Sequence, residues 1–239
     1  KNYFLKNSSK LIATSPNYYA TSETLKKYSN KVQILPIGIA EEEYRNYDPK
    51  KVEIWRKQLG SNFFLFVGTN RYYKGLKIAL EAIKNTKIKL VLAGIMGIDK
   101  ELIQFAKSNS LSNVKFLGQI SHEDKCALLK LCFGFVFPSN LRSEAFGISL
   151  LEAAFFGKPL ISCEIGTGTS FVNKHNETGI VVMPSSPEDL RNAMLKLIDN
   201  PNMASNMGNN AKIRARKLFN ANKHAKEYIK IYSEIIENF

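Results

Sequence analysis

The stretch Phe133–Gly134–Phe135–Val136–Phe137–Pro138–Ser139–Asn140–Leu141–Arg142–Ser143–Glu144–Ala145–Phe146–Gly147–Ile148–Ser149–Leu150–Leu151–Glu152 decides the fold. Its apolar opening, Phe133 to Phe137, has the length and composition of a buried strand. A polar loop follows, and then a helix with an apolar face that ends at Gly157–Lys158–Pro159. A strand, a short loop and a helix N-terminus in that order are how an open α/β sheet presents a ligand. The amides of Phe146, Gly147 and Ile148 then face an anion, and Gly147 lets that anion come close. Glu144 stands in the loop and Glu152 about two turns into the helix, so one carboxylate can reach a sugar hydroxyl and the other a ribose. A pair of glutamates is usually no more than two solvated charges, so its meaning depends on the rest of the chain.

On either side the chain alternates short apolar runs with helical periodicity, which predicts a parallel sheet wound by helices. Strands are expected at Phe63–Val67, Ile88–Ala93, Val114–Leu117, Phe133–Phe137, Leu160–Cys163 and Gly179–Met183. Leu76, Ala79, Leu80 and Ile83 mark an amphipathic helix, and another spans about 99–108. Ser121 with Asp124 caps a third. Ser186, Pro187, Glu188 and Asp189 open a fourth, which Asn200–Pro201 ends. The first 40 residues differ in kind: a short strand at Leu11–Ala13, a helix over Tyr18–Tyr28, a strand at Val32–Ile37, then the charged stretch Glu41–Lys51. The last helix places Ala225, Tyr228, Ile229, Tyr232, Ile235 and Ile236 on one side.

A second constellation, Gly68–Thr69–Asn70–Arg71–Tyr72–Tyr73–Lys74–Gly75, follows the first strand of this sheet. Arg71 and Lys74 can converge from one loop on a diphosphate, the first binding two oxygens and the second acting as a point charge. Taken alone it would be a basic surface loop. Its place at the carboxyl end of a parallel strand favours a ligand.

Composition narrows the class. The chain has 239 residues, 44% of them hydrophobic, enough for one sizeable core with an appended piece. No apolar run approaches the length of a membrane span. Cys126, Cys132 and Cys163 form no CxxC pair, which suits small core residues in a reducing, cytoplasmic compartment. His122, His175 and His224 lie scattered without ligand spacing, so no metal is expected. Gly166–Thr167–Gly168 lacks the third glycine of a dinucleotide fingerprint and fits better as a pocket wall. The net charge of +13 suits a lysine-rich soluble surface or docking on anionic lipid head groups; scattered lysines argue against nucleic acid.

Together, Glu144, Phe146–Gly147, Glu152 and Gly157–Lys158–Pro159 resemble the donor-site signature of glycosyltransferase group 1, the retaining family 4 of the GT-B fold. The Lys74–Gly75 element resembles that family's phosphate loop, with one departure: Thr69 stands where the family has arginine, and Arg71 comes two residues later. Tyr72–Tyr73–Lys74–Gly75, Leu141–Gly147 and Ile161–Ser170 are similar to the mannosyl- and deoxyhexosyltransferases of bacterial lipopolysaccharide synthesis. The resemblance implies a Rossmann-like open parallel sheet, the C-terminal half of a GT-B enzyme. Residues 1–40 would be the tail of the N-terminal domain and linker, 41–215 the nucleotide-sugar domain, and 216–239 a crossover helix. Glu144 would contact the donor hexose and Glu152 the ribose. Phe146, Gly147 and Ile148 would hold sugar and phosphate, with Gly68, Arg71 and Lys74 at the diphosphate. The implied donor is GDP-mannose or a related nucleotide sugar, the acceptor a lipid-linked glycan at the inner membrane surface, with no metal or other cofactor. Catalysis would need the N-terminal domain, so this piece alone is expected to bind nucleotide without transferring sugar. Guanine or uracil would be chosen near Gly94 and Gly118–Gln119–Ile120. The competing classes are a UDP-sugar transferase of the same fold, a sugar-nucleotide epimerase, which lacks a histidine–carboxylate pair here, and a basic membrane- or nucleic-acid-docking module.

Overall fold

The structure is a computed structural model that describes residues 2–45, 47–94 and 100–237. Its centre is a six-stranded, all-parallel sheet of β3 (Phe64–Val67), β4 (Leu90–Ala93), β5 (Val114–Gly118), β6 (Gly134–Phe137), β7 (Leu160–Cys163) and β8 (Gly179–Val182), in the order β5-β4-β3-β6-β7-β8. Each expected strand of this sheet is present: β3, β4, β6 and β8 are one or two residues shorter than expected, β7 matches, and β5 runs one residue further, to Gly118. β3, β4, β6 and β7 are buried along their whole length. That is why they are continuous apolar runs: helices cover both faces, and no alternation is needed.

Within the sheet domain the helices are α6 (Leu76–Ile83), α7 (Lys100–Ser108), α8 (His122–Leu131), α9 (Ile148–Phe155), α10 (Thr169–Val172), α11 (Pro187–Asp199) and α12 (Pro201–Leu218). Residue 99, the expected start of α7, lies outside the described residues. Ser121 and Ser186 cap α8 and α11 as their sequence predicts, each accepting from the backbone three residues on. All three cysteines are buried, and burial raises their thiols, Cys132 to about 11 and Cys163 to about 12. They act as small core residues.

Ahead of this domain come α1 (Asn2–Asn7), β1 (Leu11–Ala13), α2 (Pro16–Ala20), α3 (Glu23–Lys26), β2 (Val32–Ile34), α4 (Glu42–Arg45) and α5 (Pro49–Leu59). β1 and β2 form a separate two-stranded parallel sheet. Three expectations need correcting here. The helix over Tyr18–Tyr28 is broken in two, because the Ser22 side chain caps a new start at Glu23 by accepting from Leu25 N. β2 stops at Ile34, two residues before Pro36, which has no N–H to donate. The charged stretch Glu41–Lys51 contains α4 and the start of α5, whose opening Asp48 caps and Pro49 presets. Trp55 and Lys51 of α5 both reach Asp124 of α8, at 3.0 and 3.1 Å.

The chain closes with α13 (Ala221–Glu237), not from 216 as expected, since 216–218 still belong to α12. Phe219 and Asn220 interrupt the helix to pair with Ile39 of the linker. On α13 the buried residue is Ile231, outside the expected stripe, while Ile229, Tyr232 and Ile236 are exposed. Arg216 clamps Glu41 through Nε and Nη2, and this guanidinium holds the carboxyl below the usual carboxylate range.

α12 packs against α9 and the turn after it through Gly208. A Cβ there would lie 2.1 Å from the Gly157 carbonyl oxygen. Helix propensity alone favours Gly208→Ala by about 1 kcal/mol; overpacking against backbone at this distance falls in the upper part of its range, about 2–3 kcal/mol, and wins by about 1–2 kcal/mol. Gly208→Ala should lower Tm by roughly 2–8 °C in a thermal melt, at about 2–4 °C per kcal/mol for a domain of this size. An unchanged or higher Tm would show that the two backbones do not meet this closely.

Candidate functional site

The strand order reverses between β3 and β6. From β3 the chain moves outward through β4 and β5, then returns to β6 beside β3 and moves outward again the other way. A crevice opens at the carboxyl ends of the strands at such a point. Its two lips are the loop after β3, which contains Gly68–Gly75, and the loop after β6, which contains Pro138–Gly147.

Backbone contact holds the lips together. Asn140 N donates to the Tyr73 carbonyl at 2.9 Å. Gly75 is in the left-handed region at φ +65, and a Cβ on it would lie 2.1 Å from the Pro138 carbonyl oxygen, so only glycine fits. Across this junction Lys74 Nζ donates to Glu144 Oε2 at 2.5 Å, with both side chains largely buried. Ser139 Oγ donates to the same carboxylate oxygen at 3.0 Å. The Lys74 ammonium also lies over the Phe137 ring, 4.8 Å from its centroid.

A third loop supports the second lip from behind. Thr167 Oγ1 donates to the Glu144 carbonyl at 2.7 Å, and Gly168 N to that of Ala145 at 2.9 Å. The Gly166–Thr167–Gly168 turn is therefore a wall of this site, as expected. Phe146 is buried against Phe219. Gly147, at φ +97, is the N-cap of α9, and among the described residues no side chain caps that helix. The amides at the start of α9 have no intrahelical acceptor, so they carry the positive end of the helix dipole. Ile148 is the first residue of α9 and is exposed.

Glu152 belongs to a neighbouring cluster. It is the fifth residue of α9, just over one turn in and not two. Oε1 accepts from the Tyr44 hydroxyl and from Lys125 Nζ, each at 2.7 Å. Arg71 takes a different course from Lys74. It is exposed and lines a groove of about 410 Å³ with Tyr72, Lys77, Glu101, Phe105 and Asn140. Gly68, at the tip of β3, receives the Gly94 backbone against it. Thus the structure joins Lys74 to Glu144 and sets Gly147 beside them, while Arg71 points into the lateral groove.

Sequence reasoning missed Tyr44, Lys125 and Ser139. Ser139 was legible as the hydroxyl five residues before Glu144. Nothing local pointed to Tyr44, which meets Glu152 from 108 positions away. Among the described residues no group of three or more side chains is gathered that could hold a metal ion, and no helix is long and apolar enough to cross a membrane.

A family model described as "Glycosyl transferases group 1" matches residues 48–214. The chain is 49% identical over 218 residues to D-rhamnosyltransferase WbpZ of Pseudomonas aeruginosa, covering 91% of this chain and 57% of that protein. It is 43% identical over 235 residues to O-antigen chain mannosyltransferase C of Escherichia coli, covering 98% of this chain and 63% of the relative. It therefore spans about three fifths of the length of these relatives. The crystal structure of Anabaena Alr3699/HepE in complex with UDP and glucose superposes with a TM-score of 0.84 at 22% identity, over 97% of this chain and 65% of that one. The fold is that of the Rossmann-like half of GT-B glycosyltransferases.

The Lys74–Glu144 pair gives a direct stability test. Removing one partner of a buried pair leaves a charge without compensation, which costs about 3–5 kcal/mol. Lys74→Met should reduce urea stability by about 3 kcal/mol, toward the low end because the pair keeps some exposure. The double variant Lys74→Met/Glu144→Gln should recover most of that loss. A single variant as stable as wild type would mean that the two groups do not meet.

Proposed function

The chain belongs to the glycosyl transferases group 1 family, and on that premise we propose that it is the donor-binding half of a retaining hexosyltransferase. The proposed donor is GDP-mannose or a related GDP-hexose, and the proposed acceptor a lipid-linked glycan of the lipopolysaccharide type. The observation that carries this reading is the Lys74–Glu144 pair beside the uncapped N-terminus of α9, at the switch point of the sheet. The mannosyl- and rhamnosyltransferase relatives support the sugar class.

In this proposal the diphosphate lies between Lys74 and the amides of Phe146, Gly147 and Ile148. Gly68 leaves room for it, while Arg71, which lines the lateral groove, is assigned no contact with it. Glu144 positions the hexose and Glu152 the ribose. The bond from the anomeric carbon to the phosphate oxygen breaks, and a bond to the acceptor oxygen forms on the same face, which retains configuration. The departing phosphate oxygen takes the acceptor's proton. Negative charge builds on the leaving diphosphate in the transition state, and fixed amides and a cation at that point stabilise it without reorganising. No metal is assigned a part.

Contacts to the acceptor are assigned to the part of the relatives that this chain does not span. Binding energy realised only in a closed cleft would then be missing, so we expect nucleotide binding without sugar transfer. A lipid-linked acceptor would bring the enzyme to a cytoplasmic membrane face, where a net charge of +13 favours anionic head groups. The UDP complex of Anabaena HepE supports a second reading, a UDP-sugar donor on the same site.

Titration calorimetry should detect GDP binding, weakened at least tenfold, a gap of about 1.4 kcal/mol, by Lys74→Ala and by Glu152→Ala. Wild-type affinity in both variants would remove the site. UDP binding tenfold tighter than GDP would change the base and leave the site standing.

A further inference from the structure

Tyr44 comes from α4, ahead of the residues that the family model matches, yet its side chain is buried in the donor domain. Several contacts fix the ring. It meets Phe156 edge-on at 6.4 Å and His122 at 5.2 Å, and the Lys125 ammonium lies 5.3 Å from its centroid. Glu41, immediately before α4, is clamped by Arg216 and paired with Arg45. A ring held from so many sides leaves its hydroxyl one position, 2.7 Å from Glu152 Oε1. Lys125 donates to that same oxygen, so both contacts fall on one side of the carboxylate. Burial, and then the charge of Glu152, push the phenol above its usual range, in keeping with its place as a donor to Glu152.

We propose that Tyr44 is the positioning residue for Glu152: by fixing Oε1 it turns Oε2 outward to accept hydrogen bonds from a ribose. This rests on the assignment of Glu152 to the nucleotide's ribose. It adds that ribose recognition is set from α4, by a residue that itself touches no substrate. A lysine alone cannot do this, because an ammonium on a flexible stem follows the carboxylate as it rotates, whereas a locked phenol does not.

The test compares ribonucleotides with their 2′-deoxy forms by titration calorimetry on the 239-residue chain, using GDP with 2′-deoxy-GDP and UDP with 2′-deoxy-UDP. Wild type should prefer the ribo form. Tyr44→Phe keeps the ring and removes only the donor. It should lose about tenfold in ribonucleotide affinity, in keeping with a hydrogen bond to a charged group, and bind the deoxy form as wild type does. In a Glu152→Ala background, adding Tyr44→Phe should move neither affinity. A preference that survives intact in Tyr44→Phe overturns the inference. Equal weakening of both forms, or loss of the fold, makes Tyr44 a packing residue and also overturns it. A wild type that binds nucleotide without preferring ribose overturns the role of Glu152 and this inference with it, while the phosphate site stands.

Discussion

The site depends on one close approach, the Gly75 backbone against the Pro138 carbonyl oxygen. The parallel sheet brings β3 and β6 side by side only because the winding direction reverses between them. The loops that leave those two strands must then pass within van der Waals contact. Any side chain at Gly75 would force them apart, and Lys74 would lose its reach to Glu144. An unstrained glycine at φ +65 is thus a precondition for the buried ion pair, in the same way that a turn is a precondition for a hairpin.

A buried pair of this kind is weak evidence for stability. Two charges taken out of water lose several kcal/mol of hydration, and their attraction repays that only in good geometry. Here the geometry is good: Ser139 adds a second donor to Glu144, and Thr167 fixes the backbone behind it. A hydrophobic pair would fill the same space with less desolvation. The arrangement is better explained as preorganisation, with a cation, a carboxylate and a free helix N-terminus held by a supporting shell before any ligand arrives. The Glu152 cluster follows the same plan one turn along α9, with Tyr44 and Lys125 as its supports.

Much of this was legible in the sequence. Continuous apolar runs such as Phe63–Val67 and Leu160–Cys163 gave the buried strands, and Ser121 and Ser186 gave the helix starts, because those signals are local. The resemblance carried by Glu144, Phe146–Gly147 and Glu152 pointed to the loop after β6 and the start of α9. What could not be read were partners set by tertiary packing. Tyr44 and Lys125 meet Glu152 from α4 and α8, and no spacing rule connects them. Arg71 and Lys74 look equivalent in sequence but diverge, since Lys74 sits inside a 3₁₀ turn that faces the crevice and Arg71 precedes it. The break at Ser22 was a capping signal overlooked inside an apolar pattern, and α5 was obscured by the charge around its N-cap at Asp48.

The central claim is that the crevice between β3 and β6 holds a nucleoside diphosphate sugar. A crystal structure of the chain soaked with GDP-mannose tests it most directly. The account predicts phosphate oxygens at hydrogen-bond distance, about 3 Å, from Lys74 Nζ and from the amides of Gly147 and Ile148, with the hexose against Glu144. A nucleotide seated instead in the lateral groove of Arg71, Glu101 and Phe105, with the Lys74–Glu144 crevice empty, would contradict it.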